Sequence, residues 1–299
     1  MSESNEFDYI VVGGGTAAGI LAYRLGAANY KVCVIEAGPS DKNPFIRIPA
    51  GFNKTLNNSH LTWQFKSDCE PNIANRSILY AQGRTLGGSS SINGMIYNRG
   101  QAEDFDGWAE AGNIGWSYKD VLPFFRKTEN RITDPDESDP DPIYRGFDGP
   151  LTVTTTKWPT SLERAFYESA RNMGFTDNPD YNGAFQDGFG AYQSSIHRGW
   201  RVSTASAFLH PARKNFSVDI RCNALATSIQ FDELKANGVV YLQGDKLKSV
   251  KATREIIIAA GALNSPKLLQ LSGIGPRALL RRHKIDVRVE LQGVGENLR

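Results

Sequence analysis

Cysteine is scarce in this chain. Cys33, Cys69 and Cys222 are its only three in 299 residues; they are odd in number, lie far apart and form no C-x-x-C pair, which argues against a disulfide framework and a zinc site. A reducing compartment is expected. A long apolar run is also lacking: the most apolar stretch, residues 256–263, is far shorter than the roughly 20 residues that a bilayer-spanning helix needs. No membrane span is expected. The opening MSESNEFD has neither the basic start nor the apolar stretch of a secretory signal, so a cytoplasmic location is expected. Nor does one sign of charge prevail. With 34 basic residues against 32 acidic ones, a net charge of +2 and no long basic run, the electrostatic footprint of nucleic-acid binding is missing. The acidic, proline-rich residues 133–142 lack the central glycine and terminal glutamate of a calcium loop. They read as a solvated surface loop, and no metal site is expected.

What the sequence does hold is an ordered set of glycine-rich turns. With 40% hydrophobic residues the chain can bury one large core or two smaller ones, and two lobes are expected. Residues 9–12 (YIVV) read as a buried strand leading into Gly13-Gly-Gly-Thr-Ala-Ala-Gly19. Residues 17–28 are rich in helix formers, and residues 31–36 read as a second strand. Within this βαβ unit Gly13, Gly15 and Ala18 fit G-x-G-x-x-A: the first glycine makes the tight turn, the second lets the backbone approach a pyrophosphate, and the small third residue lets helix pack on strand. The N–H groups around Thr16 and Ala17 would face the phosphates at the positive end of the helix dipole. Glu36, about 20 residues beyond the turn, can accept from both ribose hydroxyls and would repel a 2′-phosphate, which disfavours NADP. This unit alone does not separate FAD from NAD.

Two further segments stand out. Residues 83–95 (GRTLGGSSSINGM) can run their backbone against a ligand, with Leu86 and Ile92 as apolar anchors. Residues 255–275 read as a buried strand, a small-residue turn at 259–262 and a helix. Asn264 or Ser265 would cap that helix, Pro266 suits its first position and Gly273 its terminator.

In this order, the three segments resemble the glucose-methanol-choline oxidoreductase family. The nucleotide fingerprint at 8–38, a first signature at 83–93 and a second at 261–275 carry the resemblance, supported by residues 197–209 and 293–298. It implies a three-layer α/β dinucleotide (Rossmann-like) fold for FAD, with residues 1–155 and 214–299 forming the FAD domain and 156–213 the first segment of an α+β substrate domain. Carried over residue by residue, it assigns Gly13, Gly15, Thr16 and Ala17 to the FAD pyrophosphate, and Glu36 with Ala37 to the adenosine ribose. Thr85, Ser89, Asn93, Gly94, Met95 and Ile96 fall to the pyrophosphate and isoalloxazine side, and Ala226 to the adenine. Some relatives attach flavin through a histidine just before the matched asparagine; here that position is Ile92, so a non-covalent flavin is implied.

The implied activity is oxidation of an alcohol to an aldehyde or ketone by hydride transfer to flavin N5, with oxygen or a quinone-like acceptor. The family's catalytic histidine lies near the C-terminus of longer chains, so a truncated product or fragment is expected, and no catalytic residue is assigned here. His60 and His283 read as solvated; His197 and His210 match no catalytic position. Trp108 and Trp116 read as core packing. A flavin-binding fragment without catalysis and a non-redox lyase share the same features, whereas a nicotinamide dehydrogenase would share the first unit but needs neither later segment.

Overall fold

The computed structural model describes residues 5–157 and 159–298. Met1 to Ser4, half of the polar start, lie outside the described residues. In chain order the first elements are β1 (Glu6–Val12), α1 (Thr16–Ala27), β2 (Val32–Ile35), α2 (Pro44–Arg47), α3 (Phe52–Leu56) and the hairpin β3 (Thr62–Lys66) and β4 (Leu79–Gly83). Then come α4 (Ala102–Glu110), α5 (Tyr118–Thr128), β5 (Glu129–Arg131), β6 (Leu151–Thr155), α6 (Ser161–Asn172) and the short strands β7 (Gln193–Ser194), β8 (Ile196–His197) and β9 (Trp200–Arg201). The last are a π-helical turn (Ala205–Leu209), α7 (His210–Asn215), β10 (Val218–Arg221), β11 (Ala224–Asp232), β12 (Lys235–Gln243), β13 (Lys246–Ile258), α8 (Gly261–Leu271), β14 (Ile274–Gly275), α9 (Arg277–Arg282) and β15 (Val289–Glu290).

Two compact units emerge, one from residues 1–93 and 203–299, the other from 94–202. The first is built on a six-stranded sheet in the order β10-β2-β1-β13-β12-β11. Strands β10, β2, β1 and the second half of β13 run parallel, while β11, β12 and the first half of β13 form an antiparallel meander. Parallel strands covered on both faces read as continuous apolar runs, and β2, Val-Cys-Val-Ile, is buried at every position. Alternate side chains then feed two cores. Val11, Val32 and Val34 pack with Ala18 and Ala22 of α1 and Ala212 of α7. Ile10, Val12, Cys33 and Ile35 pack with Tyr241, Val250 and Leu268 of α8. The result is an α/β Rossmann-like fold, with the carboxyl ends of β1, β2 and β13 delivering their loops to one edge.

The second unit carries a three-stranded sheet, β5-β6-β7, and a different interior. Glu129 of β5 is fully buried and paired with both Arg99 and Arg145. Arg145, also fully buried, reaches Asp180 and Gln193 as well. These contacts tie residues 99–145 to residues 180–193 within the second unit. The ion pairs group residues 94–155 with residues 156–202. Trp108 and Trp116 stack edge to face, 5.8 Å between ring centres, and Phe105, edge to face with Trp108, is buried. Both indoles stay about half exposed, so core packing describes Phe105 better than the tryptophans. Asp134, Asp136 and Glu137 of the acidic loop gather around Lys157.

Among the described residues no helix is long and apolar enough to cross a membrane, and no group of three or more histidine, cysteine, aspartate or glutamate side chains could hold a metal ion.

Candidate cofactor site

The turn after β1 is shaped by close backbone approach. Gly13 has φ +99°, and a Cβ there would lie 2.5 Å from the carbonyl oxygen of Ala259 at the end of β13, so a side chain would separate the two strand ends. The first-signature loop closes on the same turn. Gly87 N–H donates to Gly14 O at 2.7 Å, and a Cβ on Gly88 (φ +55°) would come within 2.7 Å of the Gly15 Cα. Leu86 and Ile92 anchor this loop and are buried. Ser90 Oγ lies 2.8 Å from Thr204 Oγ1, which fixes the loop from its other side.

Helix α1 begins at Thr16 with no side-chain cap and no acidic residue in its first turn. Its leading N–H groups and the positive end of its dipole are therefore left for an anion. Glu36, at the end of β2, is buried. Its Oε2 accepts from Gly14 N–H and its Oε1 from Gly38 N–H, each at 2.7 Å. Burial pushes its pKa up to about 7, against the lowering influence of the Gly38 and Gly14 donors and of Arg84.

These parts border one cleft of about 840 Å³, within the range of roughly 300–1,000 Å³ typical of cofactor and small-molecule sites. Gly13, Gly15, Thr16, Ala17, Glu36, Ala37, Ser89 and Ala226 all line it. Ala18 does not; it is buried between helix and sheet, as the fingerprint's packing residue requires. Thr85 is also buried, its hydroxyl donating to Pro39 O. Asn93 N–H donates to Ser89 O at the end of the loop, outside the cleft lining. Gly94, Met95 and Ile96 belong to the second unit, where Met95 has φ +64° and its carbonyl accepts from Ser195 N–H.

Part of the lining lies outside the glycine-rich turns. Trp63 and Phe65 stand stacked on β3, 5.9 Å apart, with the Arg84 guanidinium over the indole. The alternation in Thr-Trp-Gln-Phe-Lys puts both on one face of the strand and is the signal that could have revealed them. Helix α8 also departs from the expectation. It begins at Gly261, so Asn264 and Ser265 lie inside it and line the cleft, and Pro266 is an interior position. A start set by the end of β13 overrides the local capping pattern. Gly273, with φ +85°, does terminate the helix. Lys267, unremarked in the sequence, lines the cleft as well. His210 is held by both Asp41 oxygens at 2.9 Å.

The residues fit a dinucleotide: a turn with no room for a Cβ, an uncapped helix end and a buried carboxylate face one cleft. Comparison with known proteins agrees. The chain is 43% identical to the oxygen-dependent choline dehydrogenase of Brucella anthropi over 294 residues, 98% of this chain and 52% of that protein. It spans about half the length of the curated relatives it matches. Among solved structures, an FAD-dependent oxidoreductase from Chaetomium thermophilum is 31% identical with a TM-score of 0.89, covering 97% of this chain and 52% of that one. A formate oxidase variant from Aspergillus oryzae is 28% identical with a TM-score of 0.90, covering 99% and 52%. The GMC oxidoreductase family profile matches residues 7–299, and with a cleft of this construction the chain belongs to the GMC oxidoreductase family.

Proposed function

We propose that this chain is the FAD-holding part of an enzyme that oxidises a small alcohol, passing electrons to oxygen or to a quinone-like acceptor. The observation that carries the reading is the convergence of the uncapped α1 end, buried Glu36 and the Gly88–Ser89 backbone on one cleft. In it, the N–H groups of Gly15, Thr16 and Ala17 hold the diphosphate, with Gly13 making the turn. Glu36, beside Ala37, accepts from the ribose hydroxyls through the lone pairs that Gly14 and Gly38 leave open. Ala226 meets the adenine. Ser89 borders the cleft toward the flavin, with Thr85 behind it, and Asn93, Gly94, Met95 and Ile96 continue on the isoalloxazine side. When bound, FAD supplies the hydride acceptor that turns an alcohol into an aldehyde or ketone. Ile92 offers no nucleophile for a covalent link, so FAD is held without one. The chain's own task is to bind and orient the cofactor; the proton-accepting base is not assigned to any described residue.

The visible spectrum of the purified chain, before and after addition of FAD, tests this. A flavin band, with intact FAD released on denaturation, is the expected result. A folded, colourless protein that rejects added FAD would overturn it.

A further inference from the structure

We propose that Lys267 is the mobile countercharge to the diphosphate in this cleft, a role that rests on the FAD reading above. Of the side chains lining the cleft, only Glu36 and Lys267 among the described residues carry a charge. Their effects on an anionic ligand are opposite. Glu36 suits ribose hydroxyls but repels a nearby diphosphate whenever it is ionised. The α1 dipole offsets this with a fixed partial charge confined to the first turn, whereas a lysine ammonium brings a full one.

The geometry favours such a contact. Helix α8 starts at Gly261, two residues past the Ala259 carbonyl that closes on Gly13. Lys267 lies about 9 Å along the helix axis from Gly261. Long side chains on a helix lean back toward its N-terminus, here toward the Gly13 turn. Among the described residues the Lys267 ammonium has no hydrogen bond or ion pair to hold it elsewhere. Its flexible four-carbon stem can therefore follow the ligand.

The test is a titration of the full chain and its Lys267→Gln and Lys267→Arg variants with FAD, riboflavin and adenosine, at low and high salt. FAD carries the diphosphate; the other two ligands carry no phosphate. Lys267→Gln is expected to weaken FAD by about three- to ten-fold at low salt, with the deficit shrinking at high salt as the charges are screened. Lys267→Arg should restore most of the loss, and adenosine and riboflavin should bind the variants and the unaltered chain alike. An unchanged FAD affinity in Lys267→Gln, or an equal loss for adenosine, would overturn the proposal. If the unaltered chain itself binds no FAD, the cofactor reading has failed rather than the role of Lys267.

Discussion

The two units solve the problem of an interior in opposite ways. The first buries apolar side chains on both faces of its sheet, in the clusters around Ile10 and around Val11. The second centres on ions: Glu129 and Arg145 are fully buried, with Arg99 and Arg131 nearly so. An apolar core tolerates small losses of volume and degrades gradually. A buried ion network responds to the loss of one member as to an uncompensated charge.

Glu129→Gln should give the largest effect. It leaves Arg99 and Arg145 without their shared carboxylate, and removing one partner of a buried pair costs about 3–5 kcal/mol. Urea denaturation followed with probes in the second unit would show this as a lower midpoint. A loss no greater than that of a surface substitution would erase the contrast between the units.

Next comes the one buried acid of the cleft in the first unit. The Glu36 pKa rises from its ordinary 4.5 to about 7 in the folded chain, chiefly through burial. Between those values the folded state holds a proton that the unfolded state has released, so the stability of the cofactor-free chain falls as pH rises through that window, by up to about 3 kcal/mol. Glu36→Gln should flatten that dependence in a pH series of denaturation midpoints. If the slope survives the substitution, another group is responsible.

Ile10→Val, which removes one methylene from a site with no exposed surface, should cost about 0.5–1.5 kcal/mol. A much larger loss would mean that the apolar core is as brittle as the ionic one. Smallest of all is Lys157→Ala. The lysine and its partners Asp134 and Asp136 are solvent-accessible, and pairs of that kind are screened and contribute little. No measurable shift in midpoint is expected; a clear one would extend the ion network of the second unit out to the acidic loop.

The same contrast explains what could be read from the sequence. The β1-α1-β2 unit was legible because its apolar periodicity, its glycine spacing and Glu36 at the end of the second strand all agree locally. The interior of the second unit was not, because what joins residues 94–155 to the remainder of that unit is Arg99, Glu129 and Arg145, charged residues that a pattern of apolar positions assigns to the surface. Pro266 misplaced the start of α8 because the helix follows directly on β13, from Gly261 after the strand ends at Ile258, ahead of the capping pattern at Asn264 to Pro266. Trp63 belongs to no glycine motif, Lys267 sits unmarked among the residues of the second signature, and only the folded cleft shows the two together.

The strand order has a consequence in time. Strands β1 and β2 are synthesised well before their neighbours: β2 ends at Ile35, yet β10, beside β2, begins at Val218 and β13, beside β1, at Lys246. At synthesis rates of about 5–20 residues per second, the nascent β1-β2 pair waits roughly 10–50 s with both edges unpaired. Through that interval it is a template for other strands, so chaperone occupancy during translation should concentrate between the emergence of residue 35 and that of residue 258.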